Sequence, residues 1–157
     1  MKNYQRMLDL VVNFFGTRED DDQITVTPEE MKRLQDIHPA TMSEVANEDG
    51  PILWLLLVPT TAKVMYEFLE GIISERQLLL ETIPGQEYTA IYLCSIYVLP
   101  EFRKQGLSRK TMLEAISEIQ KDHQIKSLYY WPFSNEGKQL ATTIAEELAL
   151  PLYEKSN

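Results

Sequence analysis

Apolar residues at Tyr4, Met7, Leu8, Val11, Val12 and Phe15 recur at helical spacing and predict an amphipathic N-terminal helix. Gly16 and the acidic run Glu19 to Asp22 are expected to end it in a solvated loop, so residues 1–22 read as an addition in front of the main domain. Ile24-Thr25-Val26 is a short β-prone stretch. Behind it Thr27 suits an N-cap, with Pro28 at the first helical position and Glu30 three residues past the cap, and that helix is expected to reach about Ile37. Thr41 to Asn47 and Pro51 to Val58 read as the two strands of a hairpin turned by Glu48-Asp49-Gly50. Ile52 to Val58 is apolar at every position, which suits a strand covered by helices on both faces and ended by Pro59.

The second half repeats the alternation of helix and strand. Thr60 or Thr61 can cap a helix that carries Val64, Met65, Phe68 and Leu69, Gly71 interrupts it, and Ser74 to Leu80 resumes. Pro84-Gly85 marks a turn before a long strand, Tyr88 to Leu99, which Pro100 closes. Leu107, Met112, Leu113, Ile116 and Ile119 form the next helical stripe, down to about His123. Ser127 to Trp131 is a strand broken by Pro132; Ser134 or Asn135 then caps a helix with Leu140, Ile144 and Leu148, and Leu150 to Tyr153 is a last short strand. The fold class is α/β in the broad sense (α+β), in one domain spanning residues 1–157.

Composition narrows the function. Twenty-four acidic against 15 basic side chains give a net charge of −9, which repels a phosphate backbone and excludes nucleic acid as the expected partner. The single cysteine, Cys94, closes no intrachain disulfide, and the N-terminus lacks the apolar segment of a secretory signal. The longest apolar run is too short for a bilayer, so a cytoplasmic protein without membrane contact is expected. His38 and His123 have no second ligand at metal spacing and read as solvated or capping residues, with no metal site.

The chemistry concentrates where the long strand ends Ile96-Tyr97-Val98-Leu99-Pro100, turns through Glu101-Phe102-Arg103-Lys104-Gln105-Gly106 and enters a helix at Leu107-Ser108. A helix N-terminus offers unpaired N–H groups and positive dipole potential, which suit a pyrophosphate. Gly106 lets backbone approach the phosphates, Ser108 is small, and Arg103, Lys104 and Arg109 add local positive charge to an acidic chain. Without a ligand, the same residues read as an ordinary strand–turn–helix connection, with Lys104 and Arg109 as solvated charges.

This segment resembles the acetyl-coenzyme A motif of the GNAT (GCN5-related N-acetyltransferase) family: Arg or Gln, two residues, Gly, one residue, then Gly or Ala. Arg103, Gly106 and Ser108 take the three marked positions, Ser108 departing from the usual Gly or Ala, and Val98, Pro100, Phe102 and Arg103 match the Val-x-Pro-x-aromatic-Arg run that precedes the motif in many members. The resemblance covers roughly Ile24 to Tyr153. It implies a mixed, mostly antiparallel central sheet with helices on both faces, the 60–80 helices being inserted between its third and fourth strands. It also implies a splayed pair of strands, fourth and fifth in the family's order, here Tyr88–Leu99 and Ser127–Trp131. Acetyl-coenzyme A would lie in the splay, against backbone groups of Ile96, Tyr97 and Val98, with its phosphates on Arg103, Lys104, Gln105, Gly106, Leu107, Ser108 and Arg109, and with Asn135 as a further cofactor contact.

The implied activity is transfer of an acetyl group to an amine of a small molecule or protein. Many members use a Tyr as general acid two turns beyond an Asn that Asn135 matches, but those positions hold Thr142 and Thr143. Tyr97 and Tyr130 are the candidate replacements, with Tyr129 and Tyr153 nearby; each also reads as a sheet aromatic. Glu67, Glu70, Glu75 and Glu81 lie in the inserted helices, a candidate wall of the acceptor site, where exposed helical carboxylates are the ordinary reading. Cys94 reads as a small core residue. The alternative function is a non-catalytic acyl-coenzyme A sensor or interaction domain, and a third reading is a scaffold that forms a homodimer through the apolar stripe of its first helix.

Overall fold

The structure is a computed structural model that describes residues 2–18, 24, 27–132 and 134–156, with the side chains of the first helix described to residue 13. Among these residues six helices flank one five-stranded mixed sheet. The elements are α1 (Lys2–Arg18), α2 (Pro28–Ile37), β1 (Met42–Asn47), β2 (Gly50–Thr60), α3 (Ala62–Leu69), α4 (Glu75–Glu81), β3 (Ala90–Val98), α5 (Leu107–Asp122), β4 (Ser127–Tyr130), α6 (Asn135–Leu148) and β5 (Leu152–Glu154). Strand order equals chain order. β1 with β2 and β2 with β3 form the two long antiparallel ladders, whereas β3 with β4 and β4 with β5 are short and parallel, joined by α5 and α6 as crossovers.

β2 shows why the sheet is buried on both faces. Leu53, Leu55 and Leu57 face α5 and α6, together with Ile91, Leu93, Leu128 and Tyr130. Leu56 and Val58 face the opposite way, with Tyr92 and Tyr129, against Leu34 of α2, Phe68 of α3 and Leu78 and Leu79 of α4. At the far end of that face Met7 of α1, fully buried, packs on Ile52 and Leu99, and Tyr4 meets Trp54 edge to face with ring centroids 6.0 Å apart. Of its apolar stripe the first helix buries Met7 within the chain, while Tyr4 and Val12 stay exposed.

Two punctuation residues act more weakly than expected. α1 runs through Gly16 to Arg18, because one glycine costs a helix only about 1 kcal/mol. β2 runs through Pro59 to Thr60: beyond Leu56 it has β3 on one side only, and a missing N–H on the open side breaks no ladder. Thr60 is thus a strand residue, its hydroxyl 2.8 Å from that of Tyr129, and Thr61 caps α3 by accepting from the Val64 N–H. The expected strand at Ile24-Thr25-Val26 lies outside the described residues except for Ile24, which is buried and in no strand. The acidic run at 19–22 lies outside them entirely.

Capping matches expectation elsewhere. Thr27 accepts from the Glu30 N–H, Ser74 and Gln77 form a capping box, and Ser134 caps α6 through the Gly137 N–H, which leaves Asn135 as the first helical residue. Of the two readings of His38, capping holds: buried, it caps the Pro39–Thr41 turn by accepting at Nδ1 from the Ala40 N–H, which places the proton on Nε2 and lets it donate to Asp122 at 2.7 Å. No described helix is long and apolar enough to cross a membrane.

Candidate functional site

β3 is irregular where it matters. Leu56 of β2 faces Ser95 and Leu57 faces Leu93, so Cys94 is an extra residue that bulges β3. A bulge bends its strand and sharpens the local twist. On the other side, pairing of β3 with β4 stops at Leu93 and Tyr130, one residue before the bulge. From Cys94 to Val98 β3 runs on without β4, and a groove of about 120 Å³ opens between the diverging strands. Cys94, Ser95 and Ile96 form one wall and Tyr130, Trp131 and Pro132 the other; Met112 of α5 with Gly137, Leu140 and Ala141 of α6 close it on one face of the sheet.

Backbone groups line the open edge of β3. The Leu99 N–H bonds to the Ile52 carbonyl, and antiparallel alternation from that bond turns the Tyr97 groups toward β2 and those of Ile96 and Val98 toward the open side. Of the three residues expected to offer backbone groups, Ile96 turns its N–H and carbonyl to the open side, and Val98 leaves its N–H there. Tyr97 sends its side chain into the cluster around Met7, on the α1 side of the sheet. The Val98 carbonyl is occupied: Arg103 Nε donates to it at 2.9 Å and ties the following loop to the strand end.

That loop ends at an open helix start. Gly106 is the N-cap of α5 at φ 77°, with no side chain capping the helix, and Lys104 precedes it at φ 61°. The first-turn N–H groups of α5 have no intrahelical acceptor, which leaves them available to an anion. A Cβ on Gly106 would meet nothing within 4 Å, so the glycine serves backbone conformation and open approach rather than packing. Leu107 and Ser108 are half-buried beside the opening, and Met112 of the groove follows Leu107 by five residues, about 7.5 Å of helix rise. The loop is braced from outside. Glu101 is gripped by both terminal nitrogens of Arg6 at 2.7 and 2.6 Å, which draws its carboxyl down to about 2, and Gln105 donates to the Glu101 carbonyl.

Not every expected residue joins this constellation. Arg109 forms an ion pair with Glu147 of α6. Asn135 faces solvent and lines a wider, shallow depression of about 480 Å³ on the outside of α6, with Lys138, Gln139, Thr142 and Thr143. One helix builds that depression alone, and no chemistry converges on it. Tyr130 is in the groove wall; it donates to Glu154 at 2.8 Å, and burial followed by that carboxylate pushes its pKa up to about 12. Tyr129 is fully buried, and burial raises its pKa too. Among the described residues no group of His, Cys, Asp and Glu is placed to hold a metal ion.

Beneath the bulge lies a cluster that sequence reading ranked low. Glu75, 1 % exposed, accepts from the Tyr92 hydroxyl at 2.5 Å and from the Ile24 N–H at 2.9 Å, and the Cys94 thiol lies 3.8 Å from the same carboxylate. A charged residue in the first turn of a helix reads as solvated; only the tertiary placement of α4 under β3 buries it. Scans against protein-family models, curated proteins and solved structures each gave no match.

Proposed function

We propose that the protein is an acetyl-coenzyme A-dependent N-acyltransferase of GNAT type, transferring an acetyl group to an amine. The observation that carries this reading is the junction of two features at one end of the sheet: the groove where β3 leaves β4 and the uncapped start of α5 behind the Arg103–Gly106 loop. A pantetheine arm threaded through the groove pairs with the Ile96 and Val98 backbone, while the pyrophosphate rests on the α5 N–H groups beside Arg103 and Lys104. In this pose the thioester reaches the bulge at Cys94, and an amine arrives from the face covered by α2, α3 and α4.

Held so, the neutral amine attacks the thioester carbonyl: the C–N bond forms, the C–S bond breaks, the thiolate takes a proton from a donor in the groove, and the proton shed by the nitrogen passes to solvent, which restores the donor; proximity supplies much of the acceleration. Tyr130 is the proton donor. A pKa of about 12 keeps its phenol protonated at neutral pH; in the free protein that proton is bonded to Glu154, and the hydroxyl turns from the carboxylate toward the groove to protonate the thiolate.

One observation favours the second reading, a non-catalytic acyl-coenzyme A sensor. Thr142, where a catalytic Tyr would sit on α6, faces solvent and donates its hydroxyl to the Lys138 carbonyl. Calorimetric titration with acetyl-coenzyme A, followed by measurement of thiol release over a panel of amines, tests both. Saturable binding with amine-dependent thiol release is expected. Binding without release selects the sensor, and absence of binding overturns both.

A further inference from the structure

On the face of the sheet opposite α5 and α6, four aromatic rings meet at the end of β4. Phe68 of α3 stands edge-on to Tyr92 of β3 at 4.9 Å and to Trp131 at 6.1 Å, and Tyr129 joins them at 5.2 Å from Tyr92 and 6.1 Å from Phe68. Trp131 also lines the groove and is the partly exposed ring of the four, so the corner reaches the surface beside the bulge through it, while Phe68, Tyr92 and Tyr129 are fully buried. The corner is occupied. Lys155 lies just past β5, its backbone N–H bonded to the Tyr130 carbonyl, and its ammonium sits 5.2 Å from the Trp131 ring centroid and 5.6 Å from that of Phe68.

Ring faces carry negative quadrupole potential, and a cation within about 6 Å of the centroid is drawn to them. Lys155 has no ion-pair partner among the described residues; beyond the rings its ammonium meets only the Ser156 carbonyl at 3.5 Å. Aromatic faces therefore hold this charge, and among the described residues a competing ammonium has no salt bridge to displace. Behind Phe68, the Tyr92 hydroxyl donates to the buried Glu75. A neutral or anionic group forgoes this cation–π attraction.

We propose that Phe68 and Trp131 form the recognition subsite for a primary alkylammonium, the acceptor as it arrives and before it gives a proton to solvent to become the nucleophile, and that Lys155 of the chain itself fills the subsite in the free protein. The proposal rests on the acyltransferase reading and supplies its acceptor class: an amine at the end of an unbranched alkyl chain, as in a lysine side chain or a polyamine. Lys155 is then a competitor that an incoming amine displaces.

The chain has two tryptophans, so indole N–H resonances in an NMR spectrum report the corner (Trp131) and a remote control (Trp54) separately. n-Butylammonium titrated into Lys155→Ala should shift the Trp131 resonance saturably and leave Trp54 in place. The wild type should need about tenfold more for the same shift, because its own ammonium competes. n-Butanol, equal in shape but neutral, should do nothing, and Lys155→Met, which keeps an unbranched side chain, should behave as Lys155→Ala does. No saturable shift in either variant, an equal response to n-butanol, or identical titrations of wild type and variants would each overturn the proposal. Coenzyme A titrated into the same samples separates the two readings. Ammonium binding without coenzyme A binding keeps the subsite and removes the acyltransferase; the reverse removes the subsite alone.

Discussion

Gly106 holds φ 77° with open space around it, and Gly71, which follows α3, holds φ 76° with equally open space. A β-carbon at either position strains the backbone without meeting a neighbour, so Gly106→Ala and Gly71→Ala should each cost about 1 kcal/mol, or about 2 to 4 °C in melting temperature. Calorimetric melting checks this. Only Gly106→Ala should also weaken coenzyme A binding, since it alone stands at the helix start where the phosphates are placed; equal effects of both on affinity would remove Gly106 from the site. At this scale the sequence was most informative where chemistry is local. Thr27, Ser74 and Ser134 cap because a hydroxyl before a helix meets N–H groups a few residues on, whatever the rest of the chain does. Cys94 is the opposite case. Its bulge follows from how β2 and β3 align across more than thirty residues of chain, and the period-2 pattern of Tyr88 to Leu99 carries no mark of it.

Among the elements, α1 is joined to the loop before α5 by the Arg6–Glu101 pair and by Met7 against Leu99. Glu101 has a pKa of about 2 in the folded chain against an ordinary 4.5, chiefly through its bonds to Arg6. A lowered carboxyl pKa contributes stability that is present above 4.5 and lost as pH falls through the folded value, so the attachment of α1 should loosen between about pH 4.5 and 2. In Arg6→Ala, carboxyl-detected NMR titration should find Glu101 raised from about 2 toward 4.5, held below it by its own backbone N–H and by Lys2. A titration still near 2 would assign the shift to the loop instead. The helical stripe of α1 was readable from Tyr4 to Val12, but its partner was not. An apolar stripe states that something covers it, and here β2 of the same chain covers the part around Met7.

Across the whole molecule the sheet separates two surfaces that meet only at the gap between β3 and β4. α5 and α6 flank one side, α2, α3 and α4 the other, and the aromatic corner with Lys155 belongs to the second. If donor and acceptor approach from these two sides, substitutions should separate their effects. Ile96→Trp places an indole in a groove of about 120 Å³ and should abolish the heat of coenzyme A binding, while far-UV circular dichroism stays unchanged and the amine titration of the Lys155→Ala background persists. Phe68→Leu, on α3 and away from the groove lining, should cost about 1 kcal/mol of stability, keep coenzyme A affinity within about threefold and alter the ranking of amines in the thiol-release assay. Because the two side chains lie on separate clusters, their effects on binding should add in the double variant. Strong non-additivity, or a matching loss of both ligands from Phe68→Leu alone, would mean that one continuous cavity serves donor and acceptor, and that the inserted helices support the fold rather than select the acceptor.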